Sequence, residues 1–245
     1  MERSLVLLCT SIGKPQAGPR EGPPEPGTVA LHFATLDALR PRLSDLSGML
    51  DDHERDRAAR FVHDPDRERY VLGHGFLRAV LGKATGRTPA SITFQRGEFG
   101  KPVMGGNDVH FNFSDTKDAV IIGIANSELG VDIETMSRRV DHLSVAEHYF
   151  TPEEIAVIAS SADGKRQFLD FWTRKEAVLK ASGVGIMDDL KILRVDAPRI
   201  EVRIAHGDFV RMAAPEYHVR SFAIGEAHRV SVASFELLDP RFADY

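Results

Sequence analysis

The chain has 245 residues, 42% of them hydrophobic and 27% charged, with a net charge of −5. That is enough apolar material for one large core or two small ones, and the acidic balance argues against wholesale nucleic-acid binding. Cys9 is the single cysteine, which excludes an intramolecular disulfide and a cysteine zinc cluster. The apolar run Leu5–Cys9 is too short for a signal-peptide core, and no stretch approaches a membrane span, so a cytoplasmic enzyme or binding protein is the starting expectation.

Residues 11–28 are dense in Pro and Gly and read as part of a flexible leader spanning 1–28. "VALHFAT" follows as a first strand. Residues 45–61 read as a charged helix, and Asp64-Pro65 marks a break, with Pro65 suited to a first helical turn. A second helix is expected over 66–82, carrying Tyr70, Leu72, Leu77 and Leu81 among its apolar positions. Strands are expected at 91–94, 109–113, 119–125 and 129–134. "TPEE" at 151–154 is a helix start: Thr151 caps, Pro152 takes the first helical position, and acids fill the first turn. Residues 165–182 form the strongest helical pattern, and short strands fill 191–235. Helices followed by strands thus occur twice, with the switch near 120–130 and no residue-level repeat.

Within the strand at 129–134 lies "GVDIE". Alternate residues of a strand share a face, so Asp132 and Glu134 point one way, and Val131 and Ile133 the other. Two readings fit: an edge strand with one solvated face, or two hard oxygen ligands for magnesium on a rigid element. A third acid could come from "FWTRKEAVLKASG", Phe171 to Gly183. There Phe168, Phe171, Trp172, Val178 and Leu179 share the apolar face, with Glu176 and Lys180 flanking it. Those two could instead be a surface i, i+4 pair. Lys175 falls in the middle of the apolar face and must either snorkel or meet an anion.

Arg55, Arg57, Arg60, Arg67 and Arg69 crowd residues 54–69, mostly as a solvated face, with one or two free to bind phosphate. "FGKPV" reads as a Gly-Lys-Pro turn, and "FNFSDTKD" as a strand ending in a polar loop. The ten histidines show no metal-ligand spacing; His74, His110 and His148 read as structural. There is no Walker sequence, and "GHGFLR" lacks the third glycine of a dinucleotide loop.

Taken together and in this order, "FGKP", "FNFSD", "GVDIE" and "FWTRKEAVLKASG" resemble the Sfp-type 4′-phosphopantetheinyl transferases over roughly residues 50–185. The last two motifs are the most specific. The resemblance implies an α+β fold of two similar α/β halves in pseudo-twofold arrangement, with the active site between them. The expected division is 29–125 for coenzyme A binding and 126–245 for the metal site and catalytic helix. The reaction implied moves the phosphopantetheine arm of coenzyme A to a serine of an apo acyl or peptidyl carrier protein, with Mg2+, releasing 3′,5′-ADP, as in holo-[acyl-carrier-protein] synthase.

Carried over residue by residue, the resemblance makes Asp132, Glu134 and Glu176 the magnesium ligands, with Glu176 also the candidate base. Lys180 would meet the transferring phosphate and Lys175 would help hold the site. Lys101 and Pro102 resemble the turn beside the adenine, Arg57 and Arg69 fall where basic residues meet coenzyme A phosphates, and Glu154 takes the place of another active-site acid. Ser114 and Asp115 fall in the coenzyme A region. The family usually has histidine where this chain has Asp115, so either Lys117 replaces that charge near the 3′-phosphate or the chain tolerates a weaker contact there. The competing readings are a catalytically silent relative that binds carrier protein or coenzyme A, and a metal-dependent phosphodiesterase. Neither nucleic acid nor membrane is an expected partner, and internal pseudo-symmetry would make a monomer sufficient.

Overall fold

The computed structural model describes residues 2–18, 22–105, 109–185 and 190–243. The chain begins with β1 (Arg3–Ser11), β2 (Gln16–Ala17) and β3 (Thr28–Thr35). The helices α1 (Leu36–Leu39), α2 (Leu43–Gly48), α3 (Asp52–Ala59) and α4 (Asp64–Thr85) follow. Next come β4 (Phe94–Arg96), β5 (Pro102–Met104), β6 (His110–Asp115), β7 (Ala119–Ala125) and β8 (Leu129–Thr135). Then come α5 (His142–Tyr149), α6 (Pro152–Ser160) and α7 (Gly164–Ser182). The chain closes with β9 (Arg199–Ile204), α8 (Gly207–Met212), β10 (Glu216–Ile224), β11 (His228–Ser234) and β12 (Asp239–Phe242). Among the described residues no helix is long and apolar enough to cross a membrane.

The strands form two five-stranded sheets, ordered β8-β11-β10-β1-β9 and β2-β12-β3-β7-β6, and a β4-β5 hairpin. One apolar cluster draws Val29, Leu31 and Ile121 from one sheet and Val131, Ile133 and Val230 from the other, so the sheets face each other. The opposite face of the β3-β7-β6 sheet is covered by α4, through Leu72, Phe76 and Val80 against Phe111, Val120 and Ile122. The opposite face of the β8-β11-β10-β1 sheet is covered by α7, through Phe168, Phe171 and Val178 against Leu5, Leu7 and Val219. The fold is α+β in two halves of like build.

Several expectations change. The 1–28 leader does not hold as a unit: β1 lies between β10 and β9, parallel to the first and antiparallel to the second. Its alternation buries Leu5, Leu7 and Cys9, which brings burial worth about 1.5–3 kcal/mol per large apolar side chain. Residues 16–17 pair with β12, and 19–21 lie outside the described residues. β12 in turn joins β3, so each end of the chain completes the sheet of the other half, across the expected 125/126 division. The helix expected at 45–61 is two, because Asp51 starts α3 with a capping box to Glu54.

That capping box exposes a repeat invisible in the sequence. Asp51 and Glu54 cap α3, and the buried Glu54 pairs with Arg78, a fully buried arginine on α4. Arg78 also donates to the carbonyls of Pro89 and Ile92, around the 3₁₀ turn after α4. In the other half, Thr151 and Glu154 cap α6, and the buried Glu154 pairs with Lys175 on α7 at 2.8 Å. Lys175 also donates to the carbonyl of Leu190, in the 3₁₀ turn after α7. Each long helix then ends at a glycine with positive φ, Gly86 at 69° and Gly183 at 73°. Two residue pairs of different chemistry thus do the same work.

α7 lies directly on β8. A Cβ at Gly130 would stand 2.1 Å from the Ala177 carbonyl oxygen and 2.4 Å from the Ala181 backbone nitrogen. Gly130→Ala is therefore expected to lift α7 and destabilise the protein by about 3 kcal/mol. Gly48→Ala, where an added Cβ meets nothing within 4 Å, should leave stability unchanged or slightly raised. Urea unfolding of the two variants checks this; equal midpoints would mean that helix and strand are not in contact.

Candidate active site

β8 and β6 are the terminal strands of their sheets and run beside each other without a backbone ladder. The exposed N–H groups of β8 find side chains instead. Val131 N donates to Asn112 Oδ1 at 2.8 Å, and Ile133 N to Ser114 Oγ at 3.4 Å. Alternation puts Asn112 and Ser114 on one face of β6, which explains the polar positions of "FNFS": they substitute for a neighbouring strand.

Into this seam α7 delivers Lys180. Its three donors go to Asp132 Oδ1 at 2.7 Å, Ser114 Oγ at 2.8 Å and the Val131 carbonyl at 3.2 Å. Lys180 therefore reaches across to β8, and the alternative of a surface pair with Glu176 is not formed. Ser114 Oγ donates to Asp132 Oδ1 at 2.9 Å, completing a closed triangle. Asp132 is 6% exposed, and its Oδ2 is buried with no hydrogen-bond partner. An orphaned carboxylate oxygen at a buried position is costly and is an open ligand position.

Glu134 follows on the same face of β8 and receives Arg138, whose guanidinium also lies 5.5 Å from the Trp172 ring centre. Burial, then the charge of Asp132, pushes Glu134 up to about 7. The same two causes, in the same order, push Glu176 up to about 7. Among the described residues no three acidic, histidine or cysteine side chains converge into a ready metal cage. The donor set fits an open oxygen site for a hard cation, one that uses a few carboxylates and leaves other positions to water or phosphate.

The remaining expected residues divide. Arg69 stands 3.4 Å from Asp115, so Arg69 rather than Lys117 is the cation beside it. Lys117 is exposed and donates to the Ser137 carbonyl at 3.2 Å. Arg57 stands over the Tyr70 ring, which stacks on His74; His74 in turn meets Phe113, the neighbour of Ser114. Lys101 pairs with Glu128 and donates to the Leu129 carbonyl, and with Pro102, His110 and Phe111 it lines a small cleft. Lys175 is corrected: its ammonium is fully buried on Glu154, the Tyr149 and Leu190 carbonyls and the Phe150 ring, with no face left for a ligand. Glu154 is the partner of that pair and likewise points into the core. Sequence reasoning missed Asn112, Glu128 and Arg138; of these only Asn112 left a signal, its alternation with Ser114.

Sequence models of two families match the chain: "4′-phosphopantetheinyl transferase superfamily" over residues 128–233, and "4′-phosphopantetheinyl transferase, N-terminal" over 38–127. The chain is similar to the 4′-phosphopantetheinyl transferase HetI of a Nostoc species, 34% identical over 165 residues, 64% of this chain and 70% of that protein. It is 31% identical over 218 residues to a phosphopantetheinyl transferase of a Thraustochytrium species, covering 82% and 74% of the two chains. It is 27% identical over 198 residues to a 4′-phosphopantetheinyl transferase of Bacillus subtilis, covering 78% and 83%.

The raised carboxyls have a consequence for stability. Glu176 titrates from an ordinary 4.5 in the unfolded chain to about 7 in the folded one, so its protonated form is favoured by folding. That contribution is fully present below pH 4.5 and is lost as the pH rises through 7. In EDTA at pH 8, Glu176→Gln should therefore be more stable than the wild type by about 1–3 kcal/mol, the gain vanishing by pH 4.5. Urea titrations at both pH values measure it; no gain at pH 8 would place Glu176 in solvent, outside the field of Asp132.

Proposed function

Because the chain belongs to the 4′-phosphopantetheinyl transferase superfamily, we propose that it moves the phosphopantetheine arm of coenzyme A onto a serine hydroxyl of an apo carrier protein, releasing 3′,5′-ADP. The observation that carries this reading is the meeting of α7 and β8, where an acid with a free oxygen, a fully engaged lysine and two carboxyls shifted to about 7 share one seam.

Asp132, Glu134 and Glu176 are the residues that would hold Mg2+. When bound, the ion supplies charge neutralisation at a pyrophosphate and orients the leaving group. The chain's own residues do the rest. Glu176 accepts the serine proton directly or through a water as the new P–O bond forms. Lys180 is tied to Asp132 and Ser114 and so is held rigidly; its charge offsets the charge that develops on the departing ADP oxygen as the old P–O bond breaks. Asp132 itself is buried, and the low local polarity there strengthens its interaction with Lys180.

Arg69, beside Asp115, and Lys101 and Pro102, in the cleft with His110, are the residues that would bind the nucleotide end. Contacts there are felt alike in ground and transition states, so their loss raises KM and spares kcat.

The test is incubation with coenzyme A, Mg2+ and an apo carrier protein, followed by mass spectrometry for a gain of one phosphopantetheine arm. Asp132→Ala, Glu134→Ala and Glu176→Ala should each nearly abolish transfer while circular dichroism shows a folded chain. Arg69→Ala should raise the KM for coenzyme A about ten-fold at near-constant kcat, with Lys117→Ala the weaker of the two. Unchanged turnover in any one of the three acid variants would contradict the assignment, and a larger KM effect for Lys117→Ala would return the charge role to that residue.

A further inference from the structure

Arg138 belongs to no motif, yet it is the one basic side chain hydrogen-bonded to Glu134 among the described residues. Its backbone is fixed. Arg138 N donates to the Thr135 carbonyl at 3.0 Å, and Met136 N to the Ala227 carbonyl at 2.7 Å. Thr135 Oγ1 donates to Asp118 at 3.0 Å, and Lys165 grips the Met136 carbonyl at 2.6 Å. From this anchored turn the side chain runs back to Glu134, its guanidinium over the Trp172 ring. Trp172 lies one helical turn before Glu176, so Arg138 bridges the two elements that carry the acids. The side chain is 35% exposed, so solvent reaches it.

Arg138 takes one oxygen of Glu134, and its positive charge opposes the approach of a divalent cation to the same carboxylate. Arginine is weakly hydrated and reaches such a contact at little desolvation cost, whereas magnesium sheds water reluctantly. The acids Asp132, Glu134 and Glu176 are faced by Lys180 and Arg138, so internal cations already offset much of the charge that would attract an ion. Lys180 is locked by three bonds; Arg138 is the group able to yield.

We infer that Arg138 is an internal counter-ion that competes with a divalent cation for Glu134 and keeps the metal-free site from taking the ion before an anionic substrate arrives. The inference rests on the carboxylates being the metal site. Arrival of a pyrophosphate gives the guanidinium another anion to meet, which frees Glu134 as the ion enters. Metal and phosphate then load together.

The experiment is titration of the full chain with Mn2+ alone, without coenzyme A, read by the electron paramagnetic resonance of free Mn2+. Arg138→Gln should bind Mn2+ about ten-fold more tightly than the wild type, Arg138→Lys should lie between, and Glu134→Gln should bind weakly with or without Arg138→Gln. Thermal melts confirm that each variant is folded. A residue that merely supported the fold would give the opposite sign, so equal or weaker Mn2+ affinity in folded Arg138→Gln overturns the competition. Absence of Mn2+ binding in wild type and variant alike, with coenzyme A added, would instead overturn the metal site itself and the inference with it.

Discussion

The lack of a side chain at Gly130 is the constraint on which the rest depends. It lets the backbone of α7 touch the backbone of β8, closer than any other residue would permit. At that distance Lys180 can extend past the strand edge to Asp132 and Ser114, and Glu176 comes within the field of Asp132. A helix resting a normal side-chain layer away would leave Lys180 to solvent and the acids in separate surroundings. The raised proton affinity of Glu176, caused first by burial and then by the charge of Asp132, reflects this approach.

Close approach alone does not fix which face of α7 meets the strand. The buried Lys175–Glu154 pair does that, tying the helix to the start of α6 and to the turn that follows it, one residue before Glu176. Breaking such a pair by removing one partner costs about 3–5 kcal/mol, which makes it a strong registry device. The corresponding Arg78–Glu54 pair holds α4 in the other half. The two halves thus share a scaffold logic, a capping glutamate clamped by a long helix, and differ in what the scaffold carries: acids and Lys180 on one side, Arg69 and the ring stack on the other. The exchange of β1 and β12 between the sheets locks the halves together, so the seam between β6 and β8 is held at both ends of the chain.

Much of this was legible. The strands expected at 119–125 and 129–134 and the helix expected over 165–182 appear within a residue or so of the expected ends. Lys180 does pair with Asp132, and Glu176 comes within the electrostatic field of Asp132. What failed to show was long-range. Leu5, Leu7 and Cys9 alternate as a strand should, but a Pro- and Gly-rich neighbour masked it. Lys175, on the apolar face, suggested an inward ligand; the anion it meets is Glu154, 21 residues away, a distance that carries no local signal. The repeat went unseen because arginine in one half and lysine in the other satisfy the same physical need. Arg138 and Glu128 act through contacts that exist only once strands and helices are assembled.

The central claim is that the seam between α7 and β8 is an open metal and phosphate site, completed at the free oxygen of Asp132. Anomalous diffraction from a crystal grown with Mn2+ and coenzyme A tests it most directly. The expected result is a single manganese peak bonded to Asp132 Oδ2 and within ligand distance of Glu134 and Glu176, with the pyrophosphate on its other side. A manganese peak bound to the pyrophosphate but remote from Asp132, with Lys180 and Arg138 still seated on their carboxylates, would contradict the account.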